Sequence, residues 1–194
     1  VDPNELITVA VRSSAETAEG IANCLKFGVE HTADSDSELA LQLADTIITI
    51  GERREEGSLV GLGTMARGDT LARAGHLTEA WDTLESAGSI YREAGDEVGW
   101  ARTRIGQRFF GGELGAEYLQ ESFKGAATAE AILAEAGRHD RLIRLYHNWA
   151  FAYVLRGQYG EAIELYQKAV ETVNKQEDKQ NTDLTIASLY SDIG

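Results

Sequence analysis

The amino-acid sequence predicts an all-α solenoid, and three observations lead to that fold class. Apolar residues recur with a period of 3.6 residues throughout, and strand-like alternation is absent. Only one of the 194 residues is proline, against twenty glycines, which disfavours a sandwich of short strands. One helical pattern occurs three times, at intervals of 42 and 40 residues, and small residues recur in it at Ala80, Ser122 and Ala162. A fixed period of this size is typical of a solenoid, in which each unit buries its apolar face against the next.

Helix signals divide the chain into four hairpins and the start of a further repeat. Ser13-Ser-Ala-Glu16 has the spacing of a capping box and predicts the start of the first helix. Ser35-Asp-Ser-Glu38 repeats that signal before the second helix, which Gly51 can end. The predicted hairpins cover about 13–53, 56–95, 96–137 and 138–176, and the next repeat begins at 181–194.

Glycines mark the predicted connections between helices. Gly95 and Gly137 follow the last periodic residues of their helices and are placed to adopt the left-handed conformation. The third hairpin holds Gly111-Gly112 and Gly115 between its two helical patterns, and we expect a longer turn there. Since the final pattern stops within a helix, we expect residues 1–194 to be a single repeat domain cut from a larger protein.

Composition limits the possible partners. The formal net charge is −14 and the pI is about 4.7, and the arginines are scattered among acids rather than gathered in a stripe. A nucleic-acid partner is therefore not expected. The chain has no apolar run long enough to cross a bilayer, and a membrane partner is not expected either. The single cysteine, Cys24, lies in an apolar-periodic helix, so we expect a buried structural thiol and a cytoplasmic protein.

The sequence offers little for catalysis. The four histidines are His31, His76, His139 and His147, and no third ligand is spaced to join any two of them on one helix face. Gly57, Gly61 and Gly63 lack the ending of a phosphate-binding loop. We therefore expect no enzyme activity, no catalytic residue, no metal site and no cofactor.

The segment 146–169 resembles a tetratricopeptide repeat. It carries that family's series of small, aromatic and glycine residues in order, listed here as Tyr146, Ala150, Tyr153, Gly157, Tyr159, Ala162, Tyr166 and Ala169. Residues 65–87 form a second good copy. The proline that usually follows the second helix is missing, and the period exceeds the usual length of about 34 residues. The longer repeats resemble those of bacterial signalling proteins, where they accompany caspase-like, ATPase or LuxR-type effector domains.

The resemblance implies a right-handed superhelix that binds a protein or peptide in a concave groove lined by the first helix of each hairpin. The predicted groove residues share the free side of those helices, and they are Met65, Asp69, Arg73, Trp100, Thr103, Gln107, Phe110, Arg144, His147 and Phe151. Such a mixture suits an extended or helical peptide, with apolar side chains between aromatics and an arginine on a carboxylate. We expect Trp100 and Phe151 to be the anchors, whereas periodicity places Trp81, Phe123, Trp149, Tyr153 and Tyr166 in the core.

Two other functions stay open at this point. A helical repeat of a regulator can also sense a small molecule. The chain can also associate with itself through the apolar stripe of the last predicted helix, which comprises Leu184, Ile186, Ala187, Leu189, Tyr190 and Ile193.

The repeat of small residues yields a first test of the packing. Helix axes approach to about 8–10 Å only where side chains are small, and Ala150 and Ala162 stand at such a contact. We expect Ala162→Leu to overpack it and to lower the free energy of unfolding by about 1–3 kcal/mol, measured by urea denaturation. An unchanged denaturation midpoint would show that Ala162 does not lie between the two helices.

Overall fold

A computed structural model describes residues 3–174, and within them the chain forms nine α-helices and no β-strand. The helices are α1 (Pro3–Arg12), α2 (Ala15–Thr32), α3 (Ser37–Arg54), α4 (Gly57–Arg73), α5 (Leu77–Glu93), α6 (Glu97–Leu114), α7 (Ala116–Glu135), α8 (His139–Val154) and α9 (Tyr159–Asn174). The predicted all-α fold of helical hairpins is confirmed. The helix predicted from residue 182, with its apolar stripe, lies outside the described residues.

The chain divides into two compact units between Thr103 and Arg104, within α6. In the first unit α3 packs against α2 and α4, α4 packs against α5, and α1 lies on α2 and α3. In the second unit α8 packs against α7 and α9. The single repeat domain over residues 1–194 stays a prediction.

Four helices end in the same left-handed turn. Gly95 and Gly137 have φ of 74° and 65°, as predicted, and Gly75 and Gly157 have φ of 82° and 71°. After each glycine, the next residue donates its N–H to a carbonyl in the last turn of the helix, as from Asp96 to Tyr91 at 2.8 Å. A carbonyl that the helix itself leaves without a donor is thereby satisfied.

The end of α3 corrects a prediction, because the helix continues through Gly51 to Arg54. Glu55 takes the left-handed conformation with φ of 57°, and Glu56 donates its N–H to the Gly51 carbonyl at 2.9 Å. Gly51 is buried against α4, where a Cβ would lie 2.6 Å from the Val60 nitrogen. This glycine is therefore required for helix contact and does not end the helix.

Both predicted capping boxes lie one residue too early. Ser14 caps α2 by accepting a hydrogen bond from the Thr17 N–H, and Asp36 caps α3 by accepting one from the Leu39 N–H at 3.0 Å. Each serine that was predicted as the cap has a capping-competent neighbour immediately after it. Because Ser and Asp cap about equally well, the spacing to the acidic residue did not decide between the two positions.

The predicted long turn of the third hairpin is also wrong. Helix α6 runs through Gly111 and Gly112 to Leu114, and Gly115 alone separates it from α7. Gly115 has φ of 126°. The extra residues of this repeat therefore lengthen α6 and not the turn. Two adjacent glycines favour a break in a helix, but packing against neighbouring helices can hold the helix together across them.

Helix α1 was not predicted from the sequence pattern. It has only ten residues, fewer than three helical turns, so its apolar pattern is too short to stand out, although Ile7 and Ala10 are buried. Its carboxyl end is held by Arg54, whose Nη1 donates to the carbonyls of Ala10, Val11 and Ser13 at 3.0–3.2 Å. The contact with a distant side chain replaces the local signals that mark a helix end.

Small residues bring neighbouring helices together, as predicted. A Cβ on Gly68 would meet Leu84 Cδ2 at 2.9 Å and the Ala80 carbonyl oxygen at 3.4 Å. Ala150 and Ala162 are buried in the second unit. Alanines also fill a cluster among α2, α3 and α4, which comprises Val29, Ala33, Ala40, Ala44 and Ala66.

Two predictions about burial need correction. Trp81 and Tyr166 lie in the core as predicted, but Phe123, Trp149 and Tyr153 are only half-buried. Cys24 is exposed, so the prediction of a buried thiol is wrong. It lies on the face of α2 opposite Ala22 and Val29, and the pattern around it did not separate those faces.

Two glycine substitutions test the role of close backbone contact. A Cβ on Gly63 would lie 2.7 Å from the Ile48 nitrogen and 2.8 Å from the Ala44 carbonyl oxygen, so Gly63→Ala must push α3 and α4 apart. We expect a loss of about 1–3 kcal/mol of stability, measured by chemical denaturation.

The matched control is Gly20→Ala, because a Cβ on Gly20 meets nothing within 4 Å. That change should leave stability equal or raise it by up to about 1 kcal/mol, since Ala is the better helix former. Equal effects of the two substitutions would contradict the close approach of α3 and α4.

Candidate binding surfaces

An open cavity of about 330 Å³ lies in the first unit, between the first helices of two hairpins. Its walls come mainly from α2 and α4. The lining residues are Ala15, Glu19, Asn23, Glu56, Ser58, Leu59, Leu62, Tyr91, Asp96 and Arg102. None of the ten predicted groove residues is among them, because the cavity lies toward the amino-terminal end of α4, before Met65.

The floor of the cavity is apolar. Leu59 and Leu62 are buried, and the ring of Tyr91 is almost wholly buried. That ring fits where α4 and α6 each carry a glycine, because a Cβ on Gly61 or on Gly99 would contact it. The two glycines thus place an aromatic side chain at the base of the cavity.

The rim of the cavity is polar and carries both charges. Glu19 and Asn23 are exposed on α2, and Asp96 Oδ1 accepts the Gly99 N–H at 2.6 Å at the start of α6. Arg102 contributes a buried Nε–H that has no hydrogen-bond acceptor in the described part of the chain. The arrangement suits a ligand group that has an apolar stem and a polar end.

Further along α4, the predicted groove residues bind α2 and its following loop. Asp69 lies 3.3 Å from Nζ of Lys26, which also pairs with Glu30 at 3.0 Å. Arg73 donates to Asp34 at 2.8 Å. These two residues reach the surface, but both are engaged by side chains of the neighbouring hairpin.

Half of the predicted groove residues are buried, namely Met65, Trp100, Thr103, Gln107 and Phe110. Trp100 is 7% exposed, and the guanidinium of Arg92 lies 3.9 Å from its ring centre. The predicted anchor is therefore covered by a cation. The assignment of these residues to a binding groove stays a prediction.

In the second unit, three predicted residues follow one face of α8. Arg144 is exposed, and His147 and Phe151 are half-buried. The His147 ring packs edge-on against Tyr166 at 6.0 Å, which fixes its orientation. The face thus offers a cation, an imidazole and an aromatic ring within two helical turns.

A polar cluster joins α7, α8 and α9 beside that face. The Tyr146 hydroxyl donates to Glu130 at 2.8 Å, and Nζ of Lys168 donates to the same carboxylate at 3.0 Å. Burial and the hydrogen bond to Glu130 raise the pKa of Tyr146. The tyrosine therefore stays protonated, and the cluster holds the helices together rather than supplying a base.

The sequence pattern did not single out the contribution of α2. Residues 13–53 share only the helical periodicity of the repeat, and periodicity alone does not indicate groove positions there. The structure nevertheless places Ala15, Glu19 and Asn23 in the cavity wall and Lys26 beside Asp69. The spacing of 15, 19 and 23, four residues apart, was the available signal for one exposed helix face.

Residues 3–174 contain no group of three or more His, Cys, Asp or Glu side chains that could hold a metal ion. In the same range, no helix combines the length and hydropathy needed for a membrane span.

Comparison with known proteins identifies one of the hairpins. Residues 143–173, in α8 and α9, match the family model of the tetratricopeptide repeat. These residues therefore form a tetratricopeptide repeat, and the resemblance drawn from them is confirmed. No curated protein matches the chain. Tetratricopeptide repeats generally mediate protein–protein interaction or scaffolding and are typically noncatalytic.

The ion pair between α2 and α4 can be tested by removing its acid. The Lys26 side chain is only 9% exposed, so Asp69→Ala leaves a largely buried ammonium with Glu30 alone. We expect a loss of about 1 kcal/mol in the free energy of unfolding.

Asp45→Ala is the matched control, because it removes the partner of Arg67 in a pair that is 36% and 55% exposed. Exposed pairs contribute between about 0 and 1 kcal/mol, so its effect should be the smaller one. A larger loss for Asp45→Ala would show that burial does not set the strength of these pairs.

Proposed function

We propose that this chain is a noncatalytic binding module that holds a peptide segment of a protein partner on the first helices of its hairpins. The cavity between α2 and α4 is the observation that carries this proposal, since it joins an apolar floor to a polar rim on that side. The face of α8 with Arg144, His147 and Phe151 supports the same activity for the second unit. Both surfaces include first helices of hairpins, where the resemblance to tetratricopeptide repeats implies a binding groove.

The finer role rests on the resemblance of the long repeats to those of bacterial signalling proteins. In that role the chain is a cytoplasmic regulatory arm, and partner binding rearranges the repeats and alters a neighbouring effector domain. Neither nucleic acid nor membrane is a partner in this proposal.

A small-molecule ligand is the second candidate, and the size of the cavity favours it. A volume of about 330 Å³ lies at the lower end of the range for small-molecule sites. Such a volume also matches one side chain of a peptide, with the rest of the peptide lying along the helix surface.

A peptide selection tests the proposed function. A random peptide library is displayed against the full 194-residue chain, and the affinity of a selected peptide is measured by calorimetry for substituted forms. Asn23→Trp, an exposed position on the cavity wall, should fill the cavity and weaken binding at least tenfold. Gln42→Trp, exposed on α3, which contributes no residue to the cavity wall, should leave the affinity unchanged.

A substitution at the predicted anchor tests the second unit. Phe151→Ala should lower the affinity of a peptide that binds at α8, and it should leave the helicity of the protein nearly intact. Trp100→Ala removes a buried side chain and is expected to lower stability as well as binding, so Phe151 is the cleaner variant. Failure to select any peptide, together with thermal stabilisation by a metabolite mixture that Asn23→Trp abolishes, would establish the small-molecule function instead.

A further inference from the structure

Arg108 is a wholly buried cation in the second unit. It lies on α6, and among the described residues its side chain is one of the largest that have no exposure to solvent. Charged side chains are rarely buried without a partner of opposite charge, because the lost hydration must be replaced. The contacts of Arg108 therefore decide whether it is only a packing element.

The protein satisfies only one side of this guanidinium. Nη1 donates to the Ser122 hydroxyl at 3.0 Å, and that hydroxyl donates onward to the Leu119 carbonyl at 2.7 Å. The guanidinium carbon lies 3.9 Å from the ring centre of Phe123. Nε and Nη2 are buried and have no hydrogen-bond acceptor in residues 3–174.

The two unsatisfied nitrogens belong to one edge of the guanidinium. Nε–H and the nearer N–H of Nη2 point the same way, and their spacing matches the two oxygens of a carboxylate. Arg54 shows the same edge in use within this chain. Its Nε and Nη2 lie 2.8 and 2.7 Å from Oε1 of Glu56, while its Nη1 donates to helix carbonyls.

The surroundings of Arg108 add positive charge and a second donor. Desolvation lowers the pKa of Arg108 to about 10, Tyr153 opposes that change, and the positive charge of Arg156 adds to it. The buried indole Nε1–H of Trp149 also has no hydrogen-bond acceptor in the described residues. The centres of the Trp149 and Tyr153 rings lie 6.2 and 5.2 Å from that of Phe123. The N–H groups of Arg108 and Trp149 that have no acceptor therefore belong to one aromatic cluster.

The cation–π contact with Phe123 is the simplest alternative account of this cluster. A ring face can replace part of the hydration of a guanidinium, but it accepts nothing from N–H groups that lie in the guanidinium plane. Phe123, Trp149 and Tyr153 are half-buried, so the cluster extends to the protein surface. Because the guanidinium itself has no exposed surface, a ligand reaches its Nε and Nη2 edge only when one of these rings turns aside.

We propose that Arg108, Ser122, Phe123, Trp149 and Tyr153 form a binding site for a carboxylate, held by the Nε and Nη2 edge of Arg108 and flanked by the aromatic rings. The site deepens the proposed function, because it names an acidic side chain as the group that the peptide presents. The assignment of the carboxylate to a peptide rests on the proposed function, whereas the carboxylate site itself does not.

The test uses sodium benzoate as the probe on the full chain, at constant ionic strength against sodium chloride. Benzoate should raise the melting temperature of the unsubstituted protein and shift the Arg108 Nε–H resonance in a ¹H–¹⁵N spectrum. Arg108→Met should abolish the thermal effect. Arg108→Lys keeps the positive charge but lacks the paired N–H donors of a guanidinium, so benzoate should not stabilise this variant either. It replaces Arg108→Met in the test if the methionine variant fails to fold.

Arg92→Met is the matched control, because Arg92 lies at the same 3.9 Å over an aromatic ring but is exposed at the surface. It should respond to benzoate as the unsubstituted protein does. Equal stabilisation by inorganic phosphate would overturn the assignment to a carboxylate. A benzoate effect that survives in both Arg108 variants, or no effect in the unsubstituted protein, would overturn the site.

The two proposals fail separately in these experiments. Benzoate binding without any selected peptide leaves the carboxylate site standing and removes the proposed function. A selected peptide whose affinity is the same for the unsubstituted protein and for Arg108→Lys keeps the function and removes the role of this site.

Discussion

Close contact between helix backbones is the constraint on which the rest of this structure depends. Gly51 and Gly63 leave no room for a Cβ between α3 and α4, and Gly68 does the same against α5. Helices that approach this closely exclude water from their backbones and bury large side chains on either side of the contact. The cavity of the first unit has the same origin, since Gly61 and Gly99 admit the Tyr91 ring that forms its base.

The fold was largely predictable because local turn residues mark most of the helix ends. Left-handed residues stand at 55, 75, 95, 137 and 157, and four of these five are glycines that the sequence displays directly. Details failed where tertiary contact overrides a local signal. Gly51 and Gly111 lie inside helices, and α1 ends on carbonyls held by Arg54, a residue more than forty positions away from Ala10.

The candidate site was predictable only in part. Helical periodicity separates the faces of one helix, and it placed Asp69, Arg144 and Phe151 at or near the surface. It does not say which neighbour covers a face, so Trp100 and Gln107 proved buried. The burial of Lys26 and Arg108 could not be predicted for the same reason, because it depends on helices that are distant in the sequence.

The hold of Arg54 on α1 has a consequence for the order in which structure forms. The three carbonyls that it binds can be reached only when α2 and α3 have already brought residue 54 back to the start of the chain. Ten residues form too short a helix to persist alone in water. The stability of α1 therefore depends on the hairpin of α2 and α3, and we expect amide hydrogens in α1 to exchange no more slowly than those of that hairpin.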